Sequence, residues 1–298
     1  MRLLGAALAV AILLATPVRA GEWRLSPWIG WEWGKMGAVE GELKLIAGQA
    51  RDEFIGGMAA FGETAHGTIT TRALHGGAGF GCELGRFVSA RTGVAVRVGT
   101  VSMTGESARF EGSGPFGENY LETWAFDHSL TVIMVGLWQE GGDPDRLSWR
   151  GGVFIGPAYA DSSFAMAGRY VDPLEPSTNF SWDGRGRFTG NTLAGEVGGR
   201  AVLRVGEGWS VFAEAGYLAA DVKEMRSRSD VDVDGNGTVD YHRGNILLSG
   251  QTAPGARPSD RRPLAFDFSG LALRAGVTVR FAGASASAAA HDREAWGD

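Results

Sequence analysis

Through most of this chain apolar residues return at every second position. A side chain that changes face at each step belongs to a β-strand with one face buried against apolar surroundings and one against polar ones. In GVAVRVGTVSM, Val94, Val96 and Val98 share one face, and Ala95, Arg97 and Gly99 the other. In LALRAGVTVRF, Leu271, Leu273, Ala275, Val277, Val279 and Phe281 alternate with Ala272, Arg274, Gly276, Thr278 and Arg280. LAGEVGGRAVLRV sets Leu193, Val197, Ala201, Leu203 and Val205 against Glu196, Arg200 and Arg204, and WSVFAEAGYLA sets Val211, Ala213, Ala215 and Tyr217 against Phe212, Glu214 and Gly216. Eight segments of this kind are predicted, at 23–36, 73–87, 92–110, 127–140, 147–160, 188–206, 209–222 and 263–281. Their connections run long, short, long, short: 37–72, FVSARTG, 111–126, GGDPDR, 161–187, GEG and 223–262. That order predicts an all-β, antiparallel barrel of about eight strands, ten being the alternative, with tight turns at one rim and long loops at the other.

Two features make the barrel a transmembrane one. The apolar rows are about 9–11 residues long, the span a tilted strand needs to cross a bilayer. Trp23, Trp149 and Trp209 open strands while Phe87, Trp138 and Phe281 close them, all at the short-turn rim, as an interfacial aromatic girdle requires. A soluble β domain shares the alternation but gives no reason for aromatics to gather there. Composition agrees, since 47 glycines stand beside 10 tryptophans and 15 phenylalanines in 298 residues, the Gly-aromatic usage of β architectures. MRLLGAALAVAILLATPVRA has an early Arg2, an apolar run and a small-residue ending, so residues 1–20 are expected to be a secretory signal peptide. Cys82 is alone and makes no internal disulfide. The formal charge of −6 argues against nucleic acid as a partner.

Eight strands with short turns and long loops after a signal peptide resemble the small outer-membrane barrels of Gram-negative bacteria, the OmpA-like and OmpW-like group. The resemblance spans 21–281 and implies residence in the outer membrane among its lipids, as a monomer. Such barrels usually end on an aromatic residue. Here Phe281 is followed by AGASASAAAHDREAWGD, so 282–298 is expected to be a periplasmic tail.

The second row is charged: Arg24, Glu32, Glu83, Arg97, Arg150, Glu196, Arg200, Arg204, Glu214, Arg274 and Arg280, with His75 beside them. An eight-stranded barrel has an interior just wide enough for side chains to fill, and charge held away from water must be paired. Two readings follow. One is an ion-paired, closed lumen; the other is a narrow ion or solute channel gated by the same pairs.

DVDGNGTVDYHR, 232–243, resembles the calcium loops of EF-hand proteins over twelve residues. Asp232, Asp234 and Asn236 stand at positions 1, 3 and 5, Gly237 at the sharp turn, Thr238 at the carbonyl position and Asp240 at position 9. Calcium takes 6–8 oxygen ligands, and this spacing wraps them around one point. Arg243 replaces the bidentate Glu of position 12, which implies weak affinity; Asp230, Glu224 or Asp260 are candidates to complete the shell. The competing reading is a metal-free Asp/Asn/Gly turn. Arg226, Arg228, Arg257, Arg261 and Arg262 near this loop point to phosphate-rich lipid, such as lipopolysaccharide, or another surface molecule.

Catalysis is weighed through Asp127-His128-Ser129, which holds hydrolytic residue types. Neighbours on a strand face opposite ways, so His128 cannot reach both. The paired acidic and Asp-x-His elements of omptin proteases and the His-x-Ser arrangement of lipid A deacylases are lacking. The expectation is therefore a non-enzymatic protein with a structural or surface-interaction role and a calcium-binding surface loop. The alternatives are a small channel and a barrel hydrolase of the deacylase or protease type.

Overall fold

A computed structural model describes residues 23–72, 76–143, 145–232, 237–248 and 262–281. The expected signal peptide and tail lie outside the described residues. Twelve strands and one long helix follow in the order β1 (Trp23–Glu32), α1 (Gly37–Ala60), β2 (His66–Arg72), β3 (Gly77–Phe87), β4 (Thr92–Ser113), β5 (Asn119–Gly142), β6 (Leu147–Val171), β7 (Phe180–Arg204), β8 (Trp209–Ala219), β9 (Asp221–Val222), β10 (Arg226–Ser227), β11 (Phe266–Asp267) and β12 (Gly270–Phe281).

Eight of these close a ring in which every neighbour is antiparallel: β1, β3, β4, β5, β6, β7, β8 and β12, with β12 returning to β1 through Trp23 opposite Phe281. This is the barrel that the alternation predicts. Closure leaves no open edge in the ring, the condition a sheet must meet to span hydrocarbon. The outward row remains exposed and apolar: Leu25, Ile29, Phe80, Val98, Leu137, Val153, Ile155, Leu193, Val197, Leu271 and Leu273. A belt of that extent is unfavourable in water and favourable in lipid. No helix among the described residues is long and apolar enough to cross a membrane. The chain is an antiparallel transmembrane β-barrel with a ring of eight strands.

The girdle is smaller than expected. Trp149, Trp209 and Phe281 face outward at the short-turn rim, and Trp23 stacks there under Arg86, 5.2 Å from ring centroid to guanidinium carbon. Trp138 and Phe87 instead point inward and pack on one another at 4.6 Å between ring centroids. Their strand positions decide this, because Leu137 takes the lipid-facing site beside Trp138. Glycines on neighbouring strands make room for such rings. A Cβ at Gly93 would stand 2.1 Å from Trp138, and one at Gly81 or Gly99 would stand 2.5 Å from Trp28.

Away from the short turns the wall is uneven. β1, β3, β8 and β12 stop after 10, 11, 11 and 12 residues, whereas β4 to β7 run for 22, 24, 25 and 25. The stretches 111–126 and 161–187, expected as loops, are largely strand, and β2 extends this taller wall by pairing with β4. The alternation continues there with an apolar inner row, Phe110, Trp124, Phe126, Phe164, Met166 and Phe188, all buried. At the level where β4 leaves the ring its register with β5 shifts at a bulge holding Gly105, whose φ of +93° favours glycine.

The 37–72 connection, expected to be an extended loop, contains α1. Its buried positions Val39, Leu43, Ala47, Ala50, Phe54 and Met58 recur every three or four residues and face the inner side of the tall wall. The last connection packs there too, through Val222, Met225, Val231, Tyr241, Leu247, Leu264 and Phe266. Helix and loop together form a cap over one mouth of the barrel.

Candidate functional site

Within the ring, inward alternation brings together residues far apart in sequence. Glu83 and Arg97 are direct cross-strand partners on β3 and β4, as are Arg200 and Glu214 on β7 and β8. Arg97 donates to Glu83 at 2.6 Å and to Glu214 at 2.8 Å, and also to Glu196. Glu83 further accepts from Arg150 at 2.5 Å and from Arg200 at 3.2 Å. Arg274 bridges Glu32 at 2.6 Å, Glu196 at 2.5 Å and Glu214 at 2.9 Å. Nearer the short-turn rim, Arg24 donates to Glu140 at 2.5 Å.

Five buried arginines thus meet five buried glutamates, and each arginine also lies over an aromatic face. The guanidinium carbons stand 4.4 Å from the Phe87 centroid for Arg24, 4.1 Å from Phe154 for Arg97 and 3.9 Å from Trp138 for Arg150. For Arg200 the distance is 3.9 Å to Phe212, and for Arg274 it is 4.6 Å to Trp28. Arginine suits this setting because its planar fork bonds carboxylates in its plane and stacks on rings with its faces. The charged row expected from the sequence is therefore a paired layer that fills the barrel. Arg204 and Arg280 fall at its margin, where Arg204 pairs with Asp145 and Arg280 donates to Ser210 Oγ at 3.2 Å. His75 lies outside the described residues.

Above this layer an aromatic floor follows. His128 stacks on Phe126 at 5.7 Å and meets Phe266 edge-on at 5.1 Å. Above the floor, between α1, the tall wall and the last loop, opens a cavity of about 330 Å³. Trp124, Phe126, Phe164, Met166 and Phe188 supply its wall side, and Tyr241, Leu247 and Leu264 its loop side. From the helix come Glu42, Ile46, Gln49 and Glu53, a stripe at helical spacing next to the stripe that packs on the wall. Glu122 on β5 and Asp240 in the loop complete the border. Glu122 is buried and accepts from the Tyr120 hydroxyl at 2.5 Å and from Trp182 Nε1 at 3.4 Å. Burial, together with the negative Glu122 beside it, pushes the Tyr120 hydroxyl well above the ordinary tyrosine range.

The segment resembling a calcium loop leaves this cap as a closed excursion. Val231 and Tyr241, both buried, form its base: Val231 N–H donates to Tyr241 O at 2.8 Å, and Tyr241 N–H to Val231 O at 3.1 Å. No helix flanks it. Gly237 has φ +84°, and its N–H donates to Asp232 Oδ2 at 2.7 Å, so the first carboxylate turns toward the loop interior. Thr238 and Asp240 are described, whereas Asp234 and Asn236 lie outside the described residues. Asp230, a candidate for the missing ligand, accepts from the Arg243 backbone N–H at 2.9 Å and stands 3.5 Å from His242 Nδ1. Among the described residues no group of three or more His, Cys, Asp or Glu is arranged around a metal position.

Of the nearby arginines, Arg226 pairs with Glu224 at 3.1 Å and Arg228 approaches Asp161 at 3.5 Å, beside the two 2.8 Å bonds from Arg187 to Asp161. Arg257 and Arg261 lie outside the described residues; Arg262 is described and engaged. In the hydrolytic trio, Asp127 faces outward and accepts from Gly105 N–H at 3.0 Å, while His128 faces inward. His128 bonds Ser162 Oγ at 2.9 Å, with His128 at 2% and Ser162 at 0% exposure. The trio is therefore not assembled on one face: Asp127 and His128 point to opposite sides of the wall.

What sequence reasoning missed is the helix-built side of the cavity. The signal was present in Val39, Leu43, Ala47, Ala50, Phe54 and Met58.

No family model matches the chain, and no curated protein matches it either. Among solved structures it is similar to the outer membrane protein OprG from Pseudomonas aeruginosa, at 12% identity and a TM-score of 0.36, over 89% of this chain and 98% of that one. It is similar to Ail, the attachment invasion locus protein of Yersinia pestis, at 10% identity and a TM-score of 0.35, over 88% and 100%. It is also similar to the outer membrane protease OmpT from Escherichia coli, at 9% identity and a TM-score of 0.26, over 88% and 96%.

Proposed function

We propose that this protein is a non-enzymatic surface-interaction protein of the bacterial outer membrane, in which a closed barrel holds up an ordered external cap that does the recognising. The observation that carries this reading is the plug: each buried arginine is paired with carboxylate and stacked on a ring, leaving the barrel filled at that level. A conducting pore needs polar groups that exchange partners with passing ions and water. Here the partners are shared among several strands and sealed from solvent, which favours a structural role. The apolar cap above the plug supports recognition, because a protein that only had to span the membrane gains nothing from a 24-residue helix folded against the inner side of its tall wall.

Calcium is the proposed cofactor of the 232–243 loop. Its donors are hard oxygens, Gly237 makes the turn that the template requires, and Asp232 is already turned inward. With no paired helices to open, calcium there would order a loop in the manner of a low-affinity extracellular site. Outer-membrane lipid surrounds the belt, and lipopolysaccharide phosphates are the proposed neighbours of Arg226 and Arg228 on the outer face.

Planar-bilayer recording of the refolded protein tests the closed barrel. Silence across the voltage range is expected, and a steady single-channel conductance would replace this reading with the small-channel one.

A further inference from the structure

The outer end of the tall wall carries three turns, and each holds an apolar side chain in solvent. Phe61 at the end of α1 is 83% exposed, Phe116 at the β4–β5 turn 56% and Leu174 at the β6–β7 turn 72%. Phe180, which opens β7 beside that last turn, is 58% exposed. Single exposed apolar residues are ordinary on a surface, whereas a cluster of them marks a contact site. The fold brings these turns together. A Cβ at Gly114 would stand 2.7 Å from Met58 near the helix end, and one at Gly117 would stand 3.3 Å from Pro173. Phe180 is joined to the wall through Tyr170 at 5.7 Å and Trp182 at 5.2 Å between ring centroids.

Each turn is braced by its own hydrogen bonds. Phe61 N–H donates to Met58 O at 3.1 Å, and Gly62, with φ +77°, donates to Ala59 O at 2.9 Å. Phe116 N–H donates to Glu118 Oε2 at 2.9 Å, and Gly114 N–H to Glu118 O at 3.0 Å. Asp172 Oδ1 accepts from Leu174 N–H at 2.8 Å and from Glu175 N–H at 3.1 Å, while Asn179 Oδ1 accepts from Asp172 N–H at 2.6 Å. Side chains presented on ordered turns lose little freedom when a partner arrives, so their apolar area converts efficiently into affinity.

Carboxylates share this end of the wall. Burial, then the charges of Asp172, Glu118, Glu63 and Glu175, push the Tyr170 hydroxyl above the ordinary tyrosine range. The bonds that Glu118 and Asp172 accept come from backbone N–H groups, which carry no net charge and leave the carboxylates negative. Arg109 and Arg185 of the same strands alternate to the outer face, where they stand beside Glu111 and Asp183. A second copy would bring like charges to this surface, and an anionic membrane would be repelled by it. A protein surface with basic residues around apolar ones meets both features.

We propose that the outer end of the tall wall is a docking surface for a basic protein segment, which packs apolar side chains on Phe61, Phe116, Leu174 and Phe180 and sets Lys or Arg against the neighbouring carboxylates. The proposal rests on the reading of this chain as a surface-interaction protein, and names the surface and the chemistry of its partner.

The test selects a phage-displayed library of random short peptides on the full chain in phosphatidylcholine nanodiscs, after clearing on empty discs. Recovered peptides are expected to combine Lys or Arg with Leu, Phe or Trp. Made synthetically, they are expected to bind Phe61→Ser, Leu174→Ser and Glu175→Lys about tenfold more weakly than the unaltered protein. Leu45→Ser, an exposed site about 24 Å down the helix from Phe61, is expected to bind as the unaltered protein does. Heat-modifiable migration confirms that each variant is a folded barrel. No enrichment over empty discs, enrichment of acidic or uncharged peptides, or equal binding to the three tip variants overturns the proposal. Clustering of protein-bearing discs, or their capture of phosphatidylglycerol vesicles, that is lost in Leu174→Ser would give the surface to a second copy or a membrane and overturn it too. A protein that conducts in bilayers yet binds these peptides at the tip refutes the closed barrel and leaves the docking surface standing; a silent barrel that selects no such peptide refutes the docking surface alone.

Discussion

Arg97 and Glu83 face each other across β4 and β3 and join Nη2 to Oε2 at 2.6 Å, with both side chains sealed from solvent. The same glutamate holds Arg150 and Arg200, so one carboxylate anchors three cations from three further strands. Glu83→Ala is therefore expected to take a carboxylate from three buried cations at once: Arg97 and Arg200 keep Glu214, while Arg150 loses the carboxylate it bonds at 2.5 Å. Breaking a buried pair by removing one partner costs about 3–5 kcal/mol, and urea unfolding in lipid should show a loss of that order. A loss under about 1 kcal/mol would mean that water reaches the layer and that its charges are solvated.

The helix should come loose without the barrel. Leu43 is buried against the wall, whereas Leu45, two residues on, is exposed. Leu43→Ala is expected to cost about 2–5 kcal/mol of local stability, and Leu45→Ala to stay within about 0.5 kcal/mol. Hydrogen exchange over 37–60 reads the difference. Equal protection in the two variants would contradict the packing of α1 on the tall wall.

Alkaline pH should open the cap. Tyr120 keeps its proton in the folded protein to higher pH than an unfolded-chain tyrosine, which titrates near pH ~10. Above that value the unfolded state binds fewer protons than the folded one, so stability is complete below pH ~10 and declines as pH rises toward the raised folded value. Tyr120→Phe is expected to remove this part of the decline. Proteolysis of α1 followed against pH distinguishes the two proteins.

Millimolar calcium is expected to raise exchange protection across 232–243, and Asp240→Asn to abolish the gain. Asp232→Ala removes a proposed ligand and the acceptor for Gly237 N–H together, so it should lower protection even without calcium. A loop indifferent to calcium in the unaltered protein would leave it a metal-free turn.

Much of this architecture is local chemistry. Val94 to Gly99 and Leu271 to Phe281 alternate in a way that only a two-faced strand can use, and the tight turns at 88–91 and 205–208 follow directly from the intervals between apolar runs. The same alternation carries on through Trp124, Phe126 and Phe164. There it was hidden because the inner row changes from charged to apolar, and a strand whose inner face meets a helix lacks the polar contrast that marks one around an ionic lumen. Trp138 and Phe87 show a second limit. Aromatic residues at a rim suit either lipid or arginine, and the parity of their neighbours decides which.

By itself the sequence determined the strand count, the outward belt and the charged inner row, because each depends on which face a residue occupies within its own strand. Only the tertiary structure decided which arginine meets which glutamate, that α1 folds against the tall wall, and that Glu42, Glu122 and Asp240 border one cavity. Those relations join positions from 24 to 274 across strands whose spatial neighbours are set by ring closure. Opposite charges in a dry interior select partners by geometry, which sequence spacing does not encode. DVDGNGTVDYHR lies between these two cases. Its turn is written in Asp232 and Gly237, while its place beside an acidic cavity comes from the packing of Tyr241 beneath it.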